Sequence, residues 1–358
     1  MSRTLGIIGL FITVFNIQTL HAQFAVVSAE FLFEEGVFFE QCHASTLEES
    51  EDGILLASWF GGTHEGSEDV AIWGVRLIDG KWTDPEMWAN GETEDEKLYP
   101  CWNPVLFRPN NTHIIYLYYK VGPNPREWWG MVKTSDDGGE TWSTPVKLPN
   151  GIFGPIKNRP LQLMDGSVLS PSSVEFSEDR WFAHVEWSDD DQATWKTYPI
   201  DHSSVFNVIQ PSIIQHVDGR LQVLCRSKEG VVASAWSTDR GKNWSRLEKT
   251  NLLNPNSGTD AIRVGDRIFI VYNPGPPGDQ WWEGRAKLRL AWSKDGMDWT
   301  DILVLENEDK GEFSYPTVIQ SKDGLIHITY TYNRKNIKHV TLRLDTDKIN
   351  IFEGDNGP

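Results

Sequence analysis

The stretch Ser135-Asp136-Asp137-Gly138-Gly139-Glu140-Thr141-Trp142 returns as Ser188-Asp189-Asp190-Asp191-Gln192-Ala193-Thr194-Trp195 and as Ser237-Thr238-Asp239-Arg240-Gly241-Lys242-Asn243-Trp244. A fourth copy, one residue shorter, is Ser293-Lys294-Asp295-Gly296-Met297-Asp298-Trp299. The serines are 53, 49 and 56 residues apart, a period that means a solenoid, a propeller or an array. The residue types describe a tight turn. Ser and Asp oxygens accept from backbone N–H groups a few residues on, Gly supplies a positive φ, and Trp is an apolar plug that folds back onto a sheet.

Working outward, short β-rich runs separated by Gly, Asp and Asn turns continue from Phe24 to Leu344 with almost no helical periodicity. We read an all-β fold, a six-bladed β-propeller with four-stranded blades. The blades take Glu40–Trp82, Trp102–Val146, Asn158–Trp195, Val208–Trp244, Thr259–Leu303 and Tyr315–Leu344. Blade six lacks its outer strand, and Phe24–Phe33 is a strand without a blade. Pairing the two closes the ring and leaves no long open edge. The repeated turns then lie on one face of the ring, and the loops that converge on the channel lie on the other, where function is expected.

Length alone suggests two domains, but a propeller of this size is one unit, so we assign residues 23–346 to it and 347–358 to a tail. Residues 1–22 read as a signal peptide: Arg3, an apolar run from Leu5 to Phe15 too short to span a bilayer, and a cleavage end at Leu20-His21-Ala22. The expectation is an exported chain, periplasmic or extracellular. A formal net charge of −18 repels nucleic acid and anionic membrane, so neither is expected as a partner. Cys42, Cys101 and Cys225 allow at most one disulfide, and no metal, phosphate or dinucleotide motif is present, so no metal or other cofactor is expected.

The repeats resemble the Asp-box repeats of the sialidase superfamily, from about Phe24 to Leu344. The resemblance implies a six-bladed propeller in which three arginines clamp a sugar carboxylate, a tyrosine assisted by a glutamate is the nucleophile, and an aspartate is the acid/base. Arg226, at the end of the second strand of blade four, matches the second arginine, and Arg285, opening the third strand of blade five, matches the third. Tyr315, eight residues before Asp323-Gly324, matches the nucleophile. His43 stands where the first arginine is expected, ten residues before Gly53. Gln210, eight residues before Asp218-Gly219, stands in for the glutamate. The acid/base loop corresponds to Gly61–Asp69, where Glu65, Glu68 and Asp69 are available. The departures point to a divergent relative that is not a sialidase.

A free tyrosine ionises near pH ~10, so its phenolate costs about 4 kcal/mol at pH 7. Gln210 cannot take that proton, whereas His43 can if it reaches across the channel. A water-activated hydrolysis uses Glu65, Glu68 or Asp69 as acid and Glu175 or Glu312 as base. The same set also suits elimination from a uronic acid, with Arg226, Arg285 and neutral Gln210 holding the carboxylate while Tyr315 and His43 move protons. Lys157, Arg159, Trp102 and Asn103 complete the candidate substrate site. So do the loop tryptophan pairs Trp128-Trp129 and Trp281-Trp282, whose indoles suit stacking on sugar rings. The expected function is an exo-acting glycoside hydrolase that removes a terminal sugar from an anionic glycan or polysaccharide. The rivals are a polysaccharide lyase and a glycan-binding propeller without turnover. Oligomeric state is left open.

Overall fold

The repeated turns fold as their residue types require. In the computed structural model, which describes residues 24–189, 192–201, 205–280 and 282–344, the Ser135 hydroxyl donates to Asp137 at 2.8 Å and accepts the Gly139 N–H at 2.8 Å. Asp137 also takes the backbone N–H groups of Glu140 and Thr141. Gly139 has φ 84°, and a Cβ there would meet Leu56 of the neighbouring blade at 2.3 Å. Ser237 and Ser293 repeat the bond to the turn glycine at 3.0 and 2.8 Å. In the second copy Asp190 and Asp191 lie outside the described residues.

Six antiparallel sheets result, over residues 41–89, 101–147, 161–199, 208–253, 260–307, and 313–344 joined by Phe24–Phe31. The inner two strands of the blades, such as the first strand Cys101–Phe107 and the second strand Leu221–Ser227, are buried along their whole length, because neighbouring blades pack on both of their faces. The outer strands run past the expected blade ends at Trp195, Trp244 and Leu303: they take Trp195–Pro199, Glu248–Leu253 and Thr300–Asn307. The tryptophan anchors the turn, and the outer strand begins only at or after it. Blade one has its outer strand in two pieces, Lys81–Trp82 and Glu86–Ala89. The three cysteines are free and buried. The leader expectation, residues 1–22, and the tail, 347–358, lie outside the described residues.

Phe24–Phe31 pairs antiparallel with Asn336–Leu344, from Phe24 opposite Leu344 to Phe31 opposite Lys338. Beneath this seam runs a polar chain: Asp323, Ser321, His327, His339 and Glu30. Its links are 2.5, 3.0, 3.0 and 3.3 Å. Thr341 lies within 3.5 Å of both imidazoles, and Trp82 meets His339 edge-on at 5.2 Å. Burial pushes both histidines down to about 4. Between pH 6.5 and 4 the unfolded chain therefore binds more protons than the folded one, and this contribution to stability is lost as pH falls through that window. The Asp323 charge partly opposes the burial of His327, and a fall from 6.5 to about 4 in both histidines puts the expected loss on the order of a few kcal/mol for the coupled pair. Thermal unfolding measured from pH 7 to 4 should show it, and His327→Gln/His339→Gln should flatten the profile. An unchanged slope in the double variant would assign the acid sensitivity elsewhere.

Candidate active site

One residue near the start of each inner strand holds a left-handed backbone. These are Ala44, Asn103, Lys157, Gln210, Asn256 and Tyr315, with φ of 60, 39, 72, 53, 58 and 51°. Side chains other than glycine rarely adopt this region, and each instance costs on the order of 1 kcal/mol. In blades one, two, four and six the pairing register slips at the same place, so each of these strands carries a β-bulge there. The bulge re-aims the chain at the channel mouth. The spacing that singled out Gln210 and Tyr315 from their following turns holds for Lys157 before Asp165 and Ala44 before Asp52 as well. Ala44 is thus the blade-one counterpart of Gln210 and Tyr315, and His43 precedes that position by one residue.

A cleft of about 200 Å³ opens at this mouth, lined by Glu65, Trp102, Asn103, Pro125, Trp128, Glu175, Trp181, Gln210, Arg226, Arg285, Tyr315 and Arg334. Every blade contributes. On its floor the Tyr315 hydroxyl oxygen accepts from Arg226 at 2.6 Å and from the Gln210 amide at 3.3 Å. Arg226 also donates to Gln210 Oε1 at 3.3 Å and to Asn256 Oδ1 at 2.8 Å, and its guanidinium lies over the Trp181 ring at 5.3 Å. All of these partners are neutral. Among the described residues no carboxylate pairs with Arg226.

The other two arginines are compensated. Arg285, buried, donates to Glu312 at 2.9 Å and to the Asn256 carbonyl at 3.3 Å. Arg334, in the outer hairpin of blade six, donates to Glu312 at 2.8 Å and to Glu65 at 2.5 Å. Glu312 is half-buried, yet the Arg334 and Arg285 charges and its bond to Arg334 outweigh the cost of that burial and hold its carboxyl below the usual range. Glu175 has the opposite setting: burial raises its carboxyl, with Arg226, Lys228 and Arg126 opposing.

The structure brings together Tyr315, Gln210, Glu65, Arg226, Arg285, Trp102, Asn103, Glu175 and Trp128 from the sequence-predicted set, with Glu312 just behind the arginines. Others fall elsewhere. Lys157 is buried with its ammonium donating to Asn158 and to the carbonyls of Thr259 and Pro316, so it cross-ties blades three, five and six inside the channel and is no open ligand contact. Arg159 faces away from this cleft and pairs with Glu48 at 3.1 Å, lining a separate pocket with Ser212, Asp260 and Val318. Asp69 accepts from Thr63 N and Oγ1 at 2.9 and 2.8 Å, which holds the Gly61–Asp69 loop in shape. Trp282 is 48% exposed and is not part of the cleft wall, and Trp281 lies outside the described residues.

His43 lies beside Tyr315, ring centroids 4.2 Å apart, with its Nδ1 buried and without a hydrogen-bond partner. Burial first, then Arg334, Arg285, Arg226 and Lys157, push it well below the usual histidine value. It is held as a neutral wedge behind the tyrosine, a setting that disfavours the expected role as acceptor of the Tyr315 proton. Sequence reading missed Trp181, Arg334, Asn256 and Pro125. Nothing in the residue types of the hairpin Asn333-Arg334 or of the strand start Arg180-Trp181 distinguishes them from surface groups.

The model of the BNR repeat-like domain family matches residues 53–328. Among solved structures the chain is similar to a protein of unknown function from Dyadobacter fermentans, 17% identical with TM-score 0.72, covering 90% of this chain and 99% of that one. It is also similar to the Hadza microbial sialidase Hz136, 18% identical with TM-score 0.73, covering 87% and 68%. The sialidase of Trypanosoma rangeli is 15% identical with TM-score 0.67, covering 88% of this chain and 56% of the other, so the chain spans little more than half of that enzyme. At these identities the likeness is one of fold. No curated protein sequence matches the chain.

Proposed function

The chain belongs to the BNR repeat-like domain family, and from that fold and the cleft at its channel mouth we propose that it is an exported carbohydrate-active enzyme. Its reaction is the hydrolytic removal of a terminal sugar from an anionic glycan or polysaccharide. The observation that carries the reading is the Arg226–Tyr315–Gln210 cluster. An arginine without a carboxylate partner sits against a tyrosine hydroxyl at 2.6 Å, in a cleft walled by Trp102, Trp128 and Trp181. Within a chain of formal net charge −18, that unpaired guanidinium is a local site for an acidic sugar, and the indoles offer apolar faces to its ring.

Elimination from a uronic acid is the second reading, favoured by one feature. Among the described residues no carboxylate touches the Tyr315 hydroxyl to take its proton, and the neutral amide of Gln210 beside it does not repel a substrate carboxylate. A panel of acidic polysaccharides assayed for both products separates the two. New reducing ends without near-ultraviolet absorbance support hydrolysis, an unsaturated uronate supports elimination, and saturable binding with neither product leaves a glycan-binding propeller. Sialic acid is not the expected sugar, because Ala44 and His43 put no arginine at the blade-one inner strand and Gln210 is no base. Efficient release of sialic acid from a simple aryl sialoside would overturn that expectation.

A further inference from the structure

We propose that Glu175 donates the proton to the departing sugar oxygen, so that the acid of this site sits on blade three and not on the Gly61–Asp69 loop of blade one. The proposal rests on the hydrolytic reading above. Glu175 lies near the end of the second strand of blade three, Val168–Ser177, directly opposite Trp181 in the hairpin register. Its carboxyl lines the cleft together with Trp181, Arg226 and Tyr315. Among the described residues it has neither a hydrogen bond nor an ion pair.

The rival carboxyls are committed or lie outside the cleft. Glu65 is paired with Arg334 at 2.5 Å, Glu312 is shared between Arg285 and Arg334 and also accepts from Ser314, Asp69 is tied into its own loop, and Glu68 is exposed and does not line the cleft. Glu312, held below the usual carboxylate range by Arg334 and Arg285, favours the ionised form and has no proton to give near neutrality, and Glu65 is turned toward Arg334. Glu175 is the cleft carboxyl whose surroundings favour the protonated form, since burial raises it against the pull of Arg226.

In the step itself, an oxygen nucleophile forms a bond to the anomeric carbon while the glycosidic C–O bond breaks. Both electrons of the broken bond go to the leaving oxygen, which takes the Glu175 proton and departs as an alcohol. If the nucleophile is Tyr315, its own proton passes to water, and the second step reverses the traffic: water attacks the anomeric carbon, gives one proton to the Glu175 carboxylate, and the tyrosine regains its proton from solvent. Arg226 stabilises the carboxylate formed in between.

The test uses 4-nitrophenyl and methyl glycosides of the same hexuronic acids and of sialic acid. The nitrophenolate leaves without protonation, and the methoxide does not. Glu175→Gln is expected to lower kcat at least ~100-fold on the methyl glycoside that the wild type hydrolyses, but less than ~10-fold on the nitrophenyl one, and to remove the alkaline limb of the pH profile. Glu65→Gln should show no such dependence on the leaving group. Because Glu175 has no partner to lose, the variant should unfold at the wild-type temperature. Equal losses on both glycosides, or a leaving-group dependence that appears in Glu65→Gln instead, would overturn the assignment alone. Failure of the wild type on every probe would overturn the hydrolytic reading together with it.

Discussion

Tyr315→Phe is expected to lower kcat by about 10²–10⁴-fold while leaving KM and the unfolding temperature near their wild-type values. The substitution removes one oxygen and little else. The tyrosine ring is held by its own left-handed bulge, by His43 at 4.2 Å and by the arginines above it, at 5.8 and 5.9 Å from its centroid. A phenylalanine keeps those contacts. Arg226 loses one of three neutral acceptors and retains Asn256 and Gln210. What disappears is the hydroxyl that both proposed routes call on, as nucleophile in hydrolysis and as proton carrier in elimination. Gln210→Glu then divides the two. A carboxylate next to Tyr315 supplies the missing base and should preserve or raise hydrolysis, whereas it should impair elimination by repelling a uronate carboxylate. Full activity in Tyr315→Phe would remove both routes and leave water activated by the cleft carboxylates.

The ring was legible in the sequence because its signal is repeated. Each Asp-box turn states the same chemistry, and four statements in register fix a period and hence the blade count. The seam was legible by subtraction, since one blade lacked a strand and one strand lacked a blade. The site was legible only where its residues had a turn at a fixed distance to measure from, as Gln210 and Tyr315 do. The same ruler also reaches Lys157, yet the lysine points into the channel interior and bonds backbone carbonyls, a destination that depends on two other blades and leaves no local trace. Arg334 shows the converse. It enters the cleft from a hairpin and is bound there by Glu312 and Glu65, which come from blade six itself and from blade one. Spacing along a chain cannot express a pairing of that kind. Strain was likewise invisible, because Ala44, Asn103, Lys157, Gln210, Asn256 and Tyr315 share no single side-chain chemistry that would mark the position, and a positive φ is what all six have in common.

Arg226→Ala should weaken binding of an anionic glycan by about 2–4 kcal/mol, a rise in Kd of roughly 30- to 1000-fold. The expectation follows from a difference among the three arginines. Arg285 and Arg334 share Glu312, and Arg334 holds Glu65 as well, so two cations meet two anions and much of their charge is spent inside the protein. Arg226 spends none: its bonds go to an amide, a hydroxyl and a second amide oxygen. A ligand carboxylate entering between Trp128 and Trp181 would find there a forked donor already oriented, with little further ordering to do. Arg226→Lys keeps the charge without the fork and should fall between wild type and alanine. Affinity of the wild type should drop as salt is raised, and the alanine variant should lose that dependence. Isothermal titration with an acidic polysaccharide that the wild type binds reads all three proteins, and thermal unfolding provides the control. If Arg226→Ala unfolds early while the folded fraction binds as well as wild type, the guanidinium is there to tie Gln210, Asn256 and Tyr315 together, and the anion must be met by Arg285 and Arg334 after Glu65 has swung away.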